Sequence, residues 1–189
     1  MKEEQNKSIQ LTSKQKKDLL NLITDYTNSW VLLTKYDNHQ IVTPKAVSKL
    51  KYALTYEDAV EAIENMRTAL AKKLGDSDLY GRERQNGLKA VVGALNQTFG
   101  RKPLYPSIEH QAAHLLYFLV KDHPFVDGNK RIGAFLFIYY LSRCNYLLKK
   151  NGERKINDNA LVALTLLVAE SDPKEKDVII KLIMNFIVK

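Results

Sequence analysis

The chain has 189 residues, with 29 Lys and Arg against 21 Asp and Glu, for a formal charge of +8. That length allows one domain with a real core plus an appendage, and 45% apolar with 26% charged residues is the composition of a globular protein. The longest apolar runs, around Ala134–Leu141 and Leu161–Ala169, stop well short of the roughly 18 residues that cross a bilayer. The polar start MKEEQNKSIQ is unlike a signal peptide, and the single cysteine, Cys144, excludes an intrachain disulfide framework. A cytoplasmic protein outside the membrane is expected, and its charge suits an anionic partner: nucleotide, nucleic acid or an acidic protein face.

In chain order, residues 1–11 read as frayed. Thr12 or Ser13 caps a first helix whose apolar positions (Leu19, Leu22, Ile23, Tyr26, Trp30, Leu33) predict one buried stripe. The polar YDNHQ ends it. A capping box, Thr55 with Asp58, opens the next helix, with Val60, Ile63, Met66 and Leu70 on its apolar face and Gly75-Asp76 at its end. After LYGRERQNG, the segment LKAVVGALNQTF is again helical in pattern. Gly100, Pro103 and Pro106 mark a hairpin-like flap, GRKPLYP. Ser107 then caps SIEHQAAHLLYFLVK, and a further helix is expected from Asn129 to Leu148. Asn157 or Asp158 starts another, and Asp172-Pro173-Lys174-Glu175 starts the last. Alternating strand patterns are almost absent, so the expected class is all-α.

Residues 123–133, HPFVDGNKRIG, join two of these helices. Pro124 disfavours a helical backbone at His123, so the incoming helix should end there. Gly128 permits a tight turn before a helix start near Asn129, and a helix start offers unpaired N–H groups and partial positive charge to an anion. The Asn129 side chain can add a donor. Lys130 and Arg131 oppose the dipole of the first turn unless an anion sits there, a local conflict that hints at function. Asp127 is a hard oxygen ligand suited to Mg²⁺, and imidazole suits His123 to take a proton from an attacking hydroxyl. Phe125 is expected to plug the core beneath the loop. Base, metal ligand, anion hole and phosphate clamp together match phosphoryl-type transfer. Two readings stand from the residues alone: a phosphate site and a merely capped turn. Neither GxxxxGK[ST] nor GxGxxG occurs, and Pro124 and Gly128 break the single helical face a zinc pair would need.

HPFVDGNKR resembles the signature of the Fic/Doc family, HPFx[D/E]GN followed by Gly or Lys and then Arg. The likeness takes in TFGRKPLYP, SIEHQAAHLLYFLVKD and INDNALVALTLLVAESDP, and so runs from about Thr55 to Lys189. It implies residues 1–50 as tail and helical extension and 51–189 as a Fic/Doc-like domain, an all-α bundle with a short β-hairpin flap. It further implies a transferase that moves AMP or another phosphate-containing group from a nucleotide such as ATP, with Mg²⁺, to a hydroxyl of a target protein. A translation factor or GTPase is the kind of target it suggests. In this resemblance His123 is the general base, Asp127 the Mg²⁺ ligand, and Gly128 with Asn129 the anion hole. Lys130 and Arg131 face the nucleotide phosphates, Pro124 and Phe125 are structural, and the flap near Leu104 and Tyr105 aligns the target backbone by strand addition.

Two departures bear on the transferred group. AMP-transferring members usually carry Gly where this chain has Lys130, and a second Arg where it has Ala134. The death-on-curing branch shares both features, with its nucleotide reversed so that the γ-phosphate moves. Phosphotransfer is therefore favoured over AMP transfer. The family's inhibitory [S/T]xxxE[G/N] is matched poorly: VEAIEN has Val60 at its first position, and SDPKEK ends in Lys176. Built-in inhibition is not expected from these residues, and restraint by a separate antitoxin and restraint by an absent segment are the two expectations that remain.

Elsewhere the blander readings prevail. His110 and His114 share a helix face without an evident third metal ligand. Cys144, Tyr139, Tyr140, Phe135, Leu136 and Ile138 read as core, VIIKLIMNFIV as a bundle face more than a dimer face, and Arg82 and Arg84 as surface charge. A nucleic-acid-binding module would leave the motif's acid and base without purpose, nucleic acid is not the expected partner, and a degenerate domain that binds nucleotide without turnover is the remaining alternative.

Overall fold

The computed structural model describes residues 12–45, 47–74 and 78–188, in two compact units, Met1–Ile41 and Val42–Lys189. The expected fraying of residues 1–11 and the helix stop at Gly75-Asp76 lie outside the described residues. The first unit contributes one helix, α1 (Ser13–Asp37). Its expected buried stripe is not found: Ile23, Trp30 and Leu33 are all exposed. The side chains of Leu19, Leu22 and Tyr26 lie outside the described residues. A stripe is buried only where a second layer covers it, and α1 is the sole described element of its unit.

Among its described residues the second unit is helical apart from one hairpin: α2 (Tyr56–Leu74), α3 (Gly87–Leu95), β1 (Thr98–Phe99), β2 (Lys102–Pro103), α4 (Ile108–Lys121), α5 (Asn129–Arg143), α6 (Asp158–Glu170), a 3-10 turn (Pro173–Glu175) and α7 (Lys176–Ile187). The all-α expectation therefore holds. At the centre lies α4, packed against α3, α5, α6 and α7. Its sequence is apolar on nearly every side, and Ala112, Ala113, Leu115, Leu116 and Leu119 are fully buried, the pattern of a helix wrapped by others.

Local chemistry sets the ends. Thr55 Oγ1 accepts from Asp58 N at 3.1 Å, and Asp58 Oδ2 accepts from Thr55 N at 3.4 Å, closing the capping box before α2. Ser107, Asn157 and Asp172 accept from the backbone N–H of His110, Ala160 and Lys174, at 3.1, 2.8 and 2.8 Å. Two expected spans are corrected. The helix predicted to reach Leu148 stops at Arg143, because Asn145 turns left-handed (φ 53°). Asn145 N then bonds Ser142 O at 2.9 Å and Tyr146 N bonds Leu141 O at 2.8 Å, with Asn in the place glycine usually takes. Thr98 and Phe99, read as helical, instead pair with Pro103 and Lys102 in the hairpin. Its turn residues Gly100 and Arg101 both have positive φ (56° and 67°), the geometry of a tight two-residue hairpin turn.

One buried acid was missed among the apolar letters of α4. Glu109 is fully buried, and its two oxygens accept from Ser48 N, each at 3.0 Å. Burial alone would raise its pKa, but hydrogen bonds from the Tyr146 hydroxyl, Ser48 and Ser107 outweigh that and hold it below its ordinary 4.5. A lowered folded value contributes stability that is complete above the unfolded value and is lost as pH falls through the folded one. Glu109→Gln is expected to cost about 2 kcal/mol in urea unfolding at neutral pH. It should also blunt the fall in melting temperature that is expected of the wild type as pH drops below 4.5.

Candidate active site

The α4–α5 junction is built from both sides. Asp122 closes α4, its N–H bonding Phe118 O at 2.8 Å, and burial raises the pKa of its carboxyl. His123 follows with φ 48°, a left-handed backbone that is strained for a residue with a side chain. It is exposed, whereas Pro124 and Phe125 are buried, Phe125 to 1%. The Asn129 amide clamps this loop: Oδ1 accepts from Phe125 N and Nδ2 donates to Phe125 O, each at 2.9 Å. Its side chain is thus committed mainly to the loop, and its backbone N–H remains for an anion.

Gly128 starts α5 with φ 90°. The first bond of the helix runs from Ile132 N to Gly128 O at 2.8 Å, so the N–H groups of Asn129, Lys130 and Arg131 have no carbonyl within the helix. Arg131 Nη2 pairs with Asp127 Oδ2 at 3.0 Å, both side chains about half exposed, and its guanidinium lies 4.3 Å from the centre of the Tyr80 ring. Lys130 is exposed. His123, Val126, Asp127, Gly128, Asn129, Lys130 and Arg131 line one cleft of about 330 Å³.

The segment Tyr80–Arg84, of which Arg82 and Arg84 read as surface charge, splints the motif loop. Gly81 N bonds Asp127 O at 3.1 Å, Val126 N bonds Arg82 O at 2.8 Å, and Arg84 N bonds Pro124 O at 2.8 Å. The Arg84 side chain reaches Val126 O at 3.4 Å. Glu83 accepts from the Tyr56 hydroxyl at 2.8 Å and from Leu88 N at 2.9 Å, capping α3 where Asn86 makes no side-chain bond. Three rungs are too few to leave an alternating pattern in the sequence.

The flap residues are placed apart from this cleft's lining. Leu104 is exposed, its N–H held by Gln97 O at 2.8 Å. Tyr105 is half-buried and stacks on His114 at 3.8 Å between ring centres, so its ring is engaged within the fold. Burial pushes the His114 pKa down to about 4, keeping that ring neutral, and its Nδ1 lies 2.9 Å from His110 O. Among the described residues no group of three or more His, Cys, Asp and Glu side chains is arranged to hold a metal ion. A lone half-exposed carboxylate such as Asp127 still fits Mg²⁺, which commonly takes one or two carboxylates and completes its shell with waters and substrate phosphates.

Residues 54–141 match the model of the Fic/DOC family. The Fic/DOC segment runs from the foot of α2 into α5 and contains the whole cleft and its splint, though it is rather less than half of the chain. That family includes transferases. No curated protein and no solved structure matches the chain. Among the described residues, no helix is long and apolar enough to cross a membrane.

Proposed function

We propose that this chain is a nucleotide-dependent transferase of the death-on-curing type, moving a phosphate group from a nucleoside triphosphate such as ATP to a hydroxyl of a target protein. One observation carries the reading: a single cleft gathers an exposed imidazole, a carboxylate and a helix start with unpaired N–H groups. In this reading the His123 ring takes the proton from the target hydroxyl. That oxygen bonds to the γ-phosphorus, the bridging β–γ P–O bond breaks, and the nucleoside diphosphate leaves. The N–H groups of Asn129, Lys130 and Arg131 face the phosphate oxygens, and the Lys130 and Arg131 side chains add charge. Mg²⁺, when bound, neutralises phosphate charge, and Asp127 would hold it.

Ala134 favours phosphotransfer over AMP transfer. It follows Arg131 along α5, where a methyl group offers distal phosphates nothing. In the alternative the same hydroxyl attacks the α-phosphorus and pyrophosphate leaves. ATP labelled separately at the α and γ positions, incubated with the chain, Mg²⁺ and a cell lysate, tests both. Protein label from γ alone is expected, label from α would establish AMP transfer, and label from neither would sink the catalytic reading. A nucleic-acid module would instead show salt-steep affinity indifferent to His123→Ala. Restraint of the enzyme by a separate antitoxin, or by a segment outside these 189 residues, completes the proposal, since none of them carries the family's inhibitory motif intact.

A further inference from the structure

We propose that Tyr80 is a positioning residue that holds Arg131 in its phosphate-binding pose, an inference that rests on the nucleotide reading of the cleft. Two partners hold the Arg131 guanidinium: the Asp127 carboxylate at 3.0 Å and the Tyr80 ring, 4.3 Å from its centre. A bound phosphate or a cation on Asp127 competes for the first contact. The second survives that competition. A guanidinium held over an aromatic face is attracted there without spending an N–H donor, so the ring anchors the group and leaves its N–H groups for phosphate oxygens.

The ring is itself well anchored. Tyr80 is only 7% exposed, its hydroxyl lies 4.0 Å from Met66 Sδ, and the next residue's N–H is bonded to Asp127 O at 3.1 Å. The ring edge also lies under the turn, for a Cβ on Gly128 would meet Tyr80 Cε2 at 2.4 Å. One side chain from the splint thus floors the anion hole and carries the clamp. Nothing in HPFVDGNKR announces it, because it lies more than forty residues upstream.

Calorimetry of ATP with Mg²⁺ tests this on full-length chains carrying Phe or pentafluorophenylalanine at position 80, each with Arg131 intact and with Arg131→Ala. Perfluorination keeps the ring's shape and reverses the charge on its face, so a purely structural role would not respond to it. Tyr80→Phe should bind ATP within about twofold of wild type, and the fluorinated ring should weaken binding by roughly two- to thirtyfold. In the Arg131→Ala background, fluorination should change nothing further. Equal losses in both backgrounds, or no loss in either, would overturn the role of Tyr80 while leaving the nucleotide site standing. A wild type that binds no ATP would bring down the nucleotide reading and this inference together. Melting temperatures within a degree or two of one another would show that the Phe and fluorinated chains are equally folded.

Discussion

Gly128→Ala is expected to unfold at markedly lower urea concentration than wild type and to lose ATP binding. Two costs add at this position. At φ 90° an alanine sits in a left-handed backbone that is unfavourable by roughly 1–2 kcal/mol. Its Cβ would also lie 2.4 and 2.7 Å from two carbons of the Tyr80 ring, an overlap of the kind that costs about 1–3 kcal/mol in a packed core. The ring cannot easily withdraw, because the bonds between Tyr80–Arg84 and residues 124–127 fix its backbone. The sum, about 2–5 kcal/mol, is a large part of the roughly 5–15 kcal/mol that holds a domain together. A wild-type unfolding midpoint in this variant would mean that α5 does not begin on the turn described.

His123→Ala should lower the transfer rate by about 10² to 10⁴, the usual contribution of a general base, with ATP affinity nearly unchanged. The separation of rate from binding is the informative part, since an exposed side chain is not needed to hold the cleft together. A further substitution sharpens it. His123→Gly should be equally inactive yet more stable than His123→Ala, because the φ of 48° suits glycine and strains any other residue. A glycine variant that retains near-wild-type transfer would remove His123 from the chemistry.

How much of this could be read from letters depends on distance along the chain. The cleft-lining residues fall between positions 123 and 131, so their types and order carried the site directly. Capping was legible for the same reason: Thr55, Ser107, Asn157 and Asp172 act on N–H groups two or three residues away. What failed was support from afar. Tyr80 and Glu83 meet the motif loop and α3 through bonds that follow no hydrophobic period. Glu109, lying among apolar residues, gave no sign that Ser48 and Tyr146 would satisfy it. The end of α5 was misjudged because Asn145 does a job that is usually read from glycine. Periodicity marks the apolar face of α1 but not whether anything covers it.

Lys121, two residues before His123, donates through Nζ to the carbonyl oxygens of Ala169, at 2.9 Å, and Ser171, where α6 ends. Those carbonyls lie well beyond the segment that matches the family, as do Ile179, Ile183 and Ile187, all fully buried in the same core. A chain cut at the edge of the matching segment would therefore strip α4 of its cover and free the lysine that ties its last turn in place. The folded unit is longer than its signature: the cleft-lining residues are concentrated in one stretch, while the mechanical footing beneath them extends through α7.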